Sequence, residues 1–387
     1  MSTLKVINSI HPSGSTNNLV FDNAGNTAAG GTLAMSSSFL RNRIINGAMV
    51  IDQRNAGASV TANDGVFVVD RFKFSMTQSS KGTGQQSTTV PSGYINSILF
   101  TSSAATSVGA SDQFAINQNI EGLNITDFGW GSASAVSVTL SFWVRSSLTG
   151  TFGGALQNSS ANRSYPFTYT ISAANTWEQK SITIPGDTTG TWLTTNGIGI
   201  RLYLSLGMGS TYSGTAGTWA AANYQSATGA TSVVGTNGAT FYITGVQLEV
   251  GSVATPFERR LYGQELAFCQ RYFETSFPIG TAPANATATA SQYSATQLAS
   301  TSIYGSVTFC VSKRSTPTIT IYSSNSVGSP SANQLQYYNN AGAGWTNATS
   351  TATGATNNNT FAFTATTSGT AGYSYYTAFG WTASAEL

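Results

Sequence analysis

VSVTLSFWVRS, running from Val136 to Ser146, decides the fold class. Val136, Val138, Leu140, Phe142 and Val144 fall on one side of an extended chain, and Ser137, Thr139, Ser141, Trp143 and Arg145 on the other, because successive side chains of a strand point to opposite faces. Such a run belongs to a sheet with one covered face. Ile198 to Gly207 repeats the pattern, with Ile198, Ile200, Leu202, Leu204 and Leu206 inward and Arg201 and Tyr203 outward. Val66 to Met76, Tyr165 to Ile171, Gln179 to Pro185 and Phe241 to Val250 add further runs, each bounded by Gly, Asn, Asp or Ser, which favour turns. In the last run the apolar phase flips from Phe241 and Ile243 to Val246, Leu248 and Val250, which predicts a bulge at Gly245.

Beyond these runs the pattern changes once. In Phe257 to Phe273, Leu261, Phe268, Cys269, Tyr272 and Phe273 recur at helical spacing after Pro256, which reads as a short helix. Tyr304 to Val311, Thr318 to Tyr322, Phe361 to Thr366 and Tyr373 to Ala383 then read as strands of a smaller domain, with a polar, loop-like stretch from Ser323 to Asn359. The first forty residues lack alternation, and Gly25, Gly30 and Gly31 interrupt their apolar pattern, so this segment is expected to order against partner chains. The expected fold is all-β: an extended N-terminal segment (1–40), a β-sandwich or jelly-roll body (41–256), a linking helix (257–275) and a smaller C-terminal β-sandwich (276–387).

Composition restricts the function. Charged residues make up 8% of the chain, hydrophobic residues 40% and aromatics 11%, with a net charge of +2; disorder would require low hydrophobicity with high net charge. After Glu274 only Lys313, Arg314 and Glu386 are charged, so solubility there rests on Ser, Thr, Asn and Gly. MSTLKVINSIHPSGS has no apolar core of the kind a signal peptide carries, and no run approaches the roughly 20 apolar residues of a membrane span. Cytoplasmic synthesis without membrane insertion is expected. Cys269 and Cys310 sit among apolar neighbours and read as buried free thiols.

Four stretches carry a family resemblance. RNRIINGAMVIDQRN (Arg41 to Asn55), continuing into Val69-Asp70-Arg71-Phe72, and VQLEVGSVATPFERRLYGQELAFCQRYFE (Val246 to Glu274) bracket the β-patterned middle, and GWTASAEL (Gly380 to Leu387) ends the chain. The first two resemble the jelly-roll module of bacteriophage tail fibres and related virion fibre proteins, over roughly residues 41 to 275, and the third resembles the closing strand of many fibre tips. HPSGSTNNLVFDNAGN (His11 to Asn26) resembles the polar segments that tie such fibres to the virion. The resemblance implies a parallel homotrimer in the virion, docked on other virion proteins through residues 1–40 and binding host-surface carbohydrate. A capsid head fibre or decoration protein fits the same residues.

Catalytic candidates are few. His11 is the only histidine, which leaves no Cys/His zinc site and no triad with its own histidine. A carboxylate pair of the glycosidase kind could still be drawn from Asp52, Asp64, Asp70, Asp112, Glu121 and Asp127, of which Asp52 and Asp70 lie inside the family-like motifs and read as structural ion pairs and turn contacts. Asn63-Asp64-Gly65 and Asp187 could offer oxygens to calcium but read as ordinary turn chemistry. Scattered basic residues and the lack of a phosphate-binding loop argue against nucleic acid and nucleotide partners. No catalytic residue, metal or cofactor is expected.

Sugar recognition needs aromatic faces and amide or hydroxyl groups. Tyr212, Trp219 and Tyr224 punctuate the Gly/Ser/Thr/Ala-rich loop from Gly207 to Gly238, where they contact ligand or pack beneath the loop. Trp143, Arg145, Arg201 and Tyr203 form a second candidate, which could equally be a subunit interface. Tyr337, Tyr338, Asn340 and Trp345 form the third, preferred for receptor contact because it lies far from the N-terminal anchor.

Overall fold

The computed structural model describes the strands Asn8–Ile10, Asn17–Phe21 and Thr27–Ala28 and, beyond them, residues 40–285, 291–299, 301–324, 332–339, 344–367 and 374–387. The chain divides into two compact units, Met1–Arg41 and Asn42–Leu387. In the first, the three short strands form an antiparallel sheet.

The second unit is built on a sandwich of two six-stranded antiparallel sheets. The front sheet runs, in spatial order, Ser164–Ile171, Gly150–Asn158, Ile198–Met208, Gln113–Glu121, Phe72–Met76, Phe67–Val69; the back sheet runs Glu178–Ile184, Val138–Ser146, Thr240–Val250, Ser97–Ser102, Gly82–Ser87, Val60–Thr61. Alternation places the apolar rows of both sheets between them, so Phe74, Phe114, Ile116, Leu202 and Leu204 from the front and Phe100, Leu140, Phe142, Phe241 and Ile243 from the back are fully buried in one core. The bulge is where the phase flip put it. Gly245 has φ +63°, and the opposing strand slips register between Ser141 and Trp143.

The bracketing motifs meet beside this core in buried polar contacts. Asn42 bridges two backbones, its Nδ2 donating to the Val246 carbonyl (3.1 Å) and its Oδ1 accepting from the Ile44 and Leu248 N–H groups (3.0 Å each). Asn46 donates to the carbonyls of Ile51 and Asp70 and accepts from the Ile51 N–H. Arg271 and the Tyr272 hydroxyl hold Glu121. An unpaired polar group buried here would cost about 1–3 kcal/mol, which explains the dense Asn, Arg and Glu of these stretches.

The helix is shorter than its apolar spacing suggested, Tyr262–Gln270. It leads through Phe273–Thr275 into a curled sheet of nine strands among the described residues. Ser374–Ser384 is its axis: Ser291–Ala299 and Phe273–Thr275 pair along one side, Thr318–Ser323 and Gln336–Asn339 along the other. The curl closes on Phe361, Phe363, Phe379, Ile303 and Trp381.

Two expectations are corrected. The stretch from Ser323 to Asn359 is not all loop; it includes the strands Gln336–Asn339, Gly344–Asn347 and Ser350–Thr356, which are held by pairing with neighbours although they lack apolar alternation. Cys310 is exposed, while Cys269 is buried; both are free thiols.

Candidate functional site

The outer face of the front sheet is not a uniform solvated surface. The segment from Gly209 to Ser232 straps over its Gly150–Asn158 and Ser164–Ile171 half: Ala220 bridges to Ser164, the Gly217 N–H donates to the Pro166 carbonyl (2.9 Å), the Thr231 N–H to the Thr151 carbonyl (2.7 Å), and Gln157 Nε2 to Asn223 Oδ1 (2.7 Å). Gly153 is what lets the strap lie flat. A Cβ there would stand 2.4 Å from Ser226 Oγ.

The strap is clasped by tryptophan. The Trp219 ring lies 5.2 Å from Trp130, 5.5 Å from Trp192 and 5.1 Å from Tyr165, and its indole N–H donates to the Pro185 carbonyl. Trp219 is therefore spent on packing. The Tyr224 ring sits over Gly214 within the strap, and Tyr212 is half-buried near its start.

Where the strap stops, a cleft of about 260 Å³ opens over the central strands, lined by Asp64, Lys73, Ser75, Asn117, Asn119, Arg201, Tyr203 and Leu387. Strand register builds it. Asn117 stands opposite Lys73 on one side and Tyr203 on the other, while Arg201 stands between Asn119 and Gln157. Hydrogen-bond relays from its two ends fix its polarity. At one end the Leu387 carbonyl can only accept; it takes a bond from Asn119 Nδ2 (2.8 Å) and another from Lys73 Nζ (3.0 Å). Asn119 must then present Oδ1, which accepts from Asn117 Nδ2 (3.1 Å). That leaves Asn117 Oδ1, on a residue only 3% exposed, as a buried acceptor with no partner among the described residues.

At the other end Gln157, turned by Asn223, offers Oε1 to Arg201 Nη1 (3.5 Å), which also donates to the Asn158 carbonyl (3.0 Å). Nε and Nη2 of Arg201 and the Tyr203 hydroxyl have no hydrogen-bond partner among the described residues. Burial pushes the Tyr203 phenol above its ordinary range, so it is a neutral O–H, and burial pulls the Lys73 ammonium below its own. The residues lining the cleft thus carry donors on Arg201 and Tyr203 and a buried acceptor on Asn117.

Carboxylates considered for catalysis are engaged elsewhere. Asp52 accepts from the Asn55 and Gly57 N–H groups, Asp112 from Gly109, Thr77 and Gln78, and Asp127 from Arg43. Asp70 is buried between Gln53 and Arg54, with its pKa raised to about 6 by desolvation. Asp64 accepts from the Met76 N–H at the cleft rim, and Asp187 is held by Arg163 and Trp192. Among the described residues no cluster of three His, Cys, Asp or Glu side chains could hold a metal.

The remaining predicted site residues scatter. Tyr337, expected to contact ligand, is 1% exposed and packs against Tyr375 inside the C-terminal sheet. Tyr338 and Trp345 form a half-buried edge-to-face pair, rings 5.7 Å apart, across a hairpin. Asn340 lies outside the described residues. Trp143 and Arg145 are not on one surface with Arg201 and Tyr203; they lie on the back sheet, where Arg145 covers Tyr242 at 5.0 Å. Alternation separates inside from outside but does not say which sheet a strand joins. Asn117 and Asn119 were missed because polar outward positions are the ordinary state of a strand.

No family model and no curated protein matches the chain. Similar solved structures include the enzymatically active domain of tailspike protein 4 of bacteriophage CBA120 (12% identity, TM-score 0.30, 55% of this chain). This chain spans 22% of that one. TmCBM61, solved in complex with beta-1,4-galactotriose, is 10% identical (TM-score 0.29, 55% of this chain and 99% of that one). The family 11 carbohydrate-binding module of the Clostridium thermocellum cellulase Lic26A-Cel5E is 11% identical (TM-score 0.25, 52% and 98%). The chemistry of the cleft rests on its own residues.

Proposed function

We propose that this protein is a non-enzymatic virion fibre subunit that adheres to a host-surface glycan through the front-sheet cleft. The observation that carries the reading is the buried, unpartnered Asn117 Oδ1 opposite the unpartnered Tyr203 hydroxyl and Arg201 N–H groups. Alternating donors and acceptors beside an aromatic ring are what sugar hydroxyls require. Hydrolysis is set aside because Asp64 is the sole carboxylate side chain lining the cleft among the described residues, whereas glycosidases work with two. The virion context, the homotrimer and docking through residues 1–40 rest on the bracketing motifs and the charge-poor composition. Position on tail or capsid is decided by locating the protein in an electron-microscopy map of the particle.

The test of adhesion is binding of the full chain to host cells and extracted surface glycan. Asn117→Leu and Tyr203→Phe are each expected to weaken it at least tenfold while the unfolding temperature stays within a few degrees. Undiminished binding by both variants would move the site off this cleft.

A further inference from the structure

We infer that the cleft takes the terminal residue of a glycan chain, and that this residue carries a carboxylate. The inference deepens the glycan-binding reading and rests on it.

Termination follows from the walls. Across the strands, the strap fills the front-sheet face up to the strand that carries Arg201, sealing Gln157 and Ser205 to about 1% exposure, and Asp64 and Gly65 stand at the opposite rim. Along the strands, Leu387 closes the end where Asn119 and Lys73 hold its carbonyl. The open floor from Lys73 through Asn117 to Tyr203 crosses two strand spacings, about 10 Å at ~4.8 Å each. One pyranose ring with its substituents fills that width. A chain running straight through along either axis would meet the strap or Leu387, which favours a residue with one neighbour over an internal one.

The carboxylate follows from fork geometry. Among the described residues the charged side chains lining the cleft are Lys73, Arg201 and Asp64, and Glu386 acts on Lys73. Lys73 is already tied to the Leu387 carbonyl, and Asp64 to the Met76 N–H. Arg201 is anchored only through Nη1, to Asn158 and Gln157. Its Nε and Nη2 form the planar fork that matches a carboxylate bidentately. Asn117 Oδ1 then accepts a ring hydroxyl, and Tyr203 donates from the same side.

The experiment is calorimetric titration of the full chain with three sets of trisaccharides. The first set ends at the non-reducing side in glucuronic, galacturonic or sialic acid; the second has the same carboxylate reduced to the alcohol; the third caps the acid with one further neutral hexose. At least one member of the first set is expected to bind at least tenfold more tightly than its reduced and capped counterparts. Arg201→Gln should erase the difference between acid and alcohol and leave the circular dichroism melt unshifted. Equal binding of acid and alcohol overturns the carboxylate, and equal binding of capped and uncapped sugars overturns termination; in both cases the glycan reading stands. If no trisaccharide of any set binds while the protein still adsorbs to host glycan through Asn117 and Tyr203, this inference alone is lost. If that adsorption fails too, the reading beneath it is lost with it.

Discussion

The sandwich and the curled C-terminal sheet solve the same problem with different materials. In the sandwich, charge is buried and worked: Asp70, Arg71, Glu121 and Glu249 are all at most 3% exposed and each is held by neighbours. After Glu274 the chain has only Lys313, Arg314 and Glu386, and all three turn back toward the junction. Lys313 Nζ donates to Glu274 (2.5 Å) and to the Gln270 carbonyl, Arg314 to the Ala385, Glu386 and Asn196 carbonyls, and Glu386 accepts from Arg54 and Arg71. Beyond the junction the sheet relies on aromatic packing such as Phe309, Phe361 and Trp381, with rings 5.5 to 5.9 Å apart. After Glu274 charge fixes a joint, and beyond that joint it is absent.

The largest effect expected is at that joint. Lys313→Ala strands the buried Glu274 carboxylate and should cost about 3–5 kcal/mol, whereas Lys313→Met combined with Glu274→Leu should restore much of the loss. Chemical denaturation measures both, and a cost under about 1 kcal/mol for the single change would break the contrast between the two regions.

The second test is by pH. Asp70 titrates near 6 in the folded protein because burial raises it from 3.8. A group raised in the folded state stabilises fully below its unfolded value and loses that contribution as pH rises through the folded one, so about 3 kcal/mol should vanish between pH 4 and pH 6. Asp70→Asn should flatten unfolding free energy over that window. An unchanged slope would mean that the sandwich does not titrate where its buried charge says it must.

Smaller effects sharpen the picture. Trp219→Ala removes the clasp and should cost about 2 kcal/mol, with protease cuts appearing between Gly209 and Ser232 in limited digestion. Trp345→Ala, at a half-buried hairpin position, should change stability by less than about 1 kcal/mol and leave cell adsorption intact; sharply reduced adsorption would return the receptor site to the neutral sheet.

Much of the sandwich was readable because alternation is a direct imprint of one covered face: the rows of Val138 to Val144 and Ile200 to Leu206 are buried as spaced. The bulge at Gly245 was readable for the same reason, since a phase flip has no other geometric origin in a paired strand. The strand Ser350–Thr356 was not, because STATGAT has no large apolar residue and is ordered by its neighbour Thr360–Thr366. In the cleft, Arg201 and Tyr203 were visible as outward residues. Asn117 became distinctive only through Asn119 and Leu387, which lie two and 270 positions away, and such a relay leaves no local trace.

The axial strand Ser374–Ser384 follows all four of its partner strands in the sequence. During synthesis those partners leave the ribosome with their central seam missing, and their apolar sides stay open until the axis arrives. Pairing Phe273 with Ser384 spans more than a hundred residues, and sheets dominated by such distant pairings form in milliseconds to seconds, not microseconds. The nearly neutral surface of this half then has a cost in time: until the seam closes, few charges hold one nascent copy away from the next.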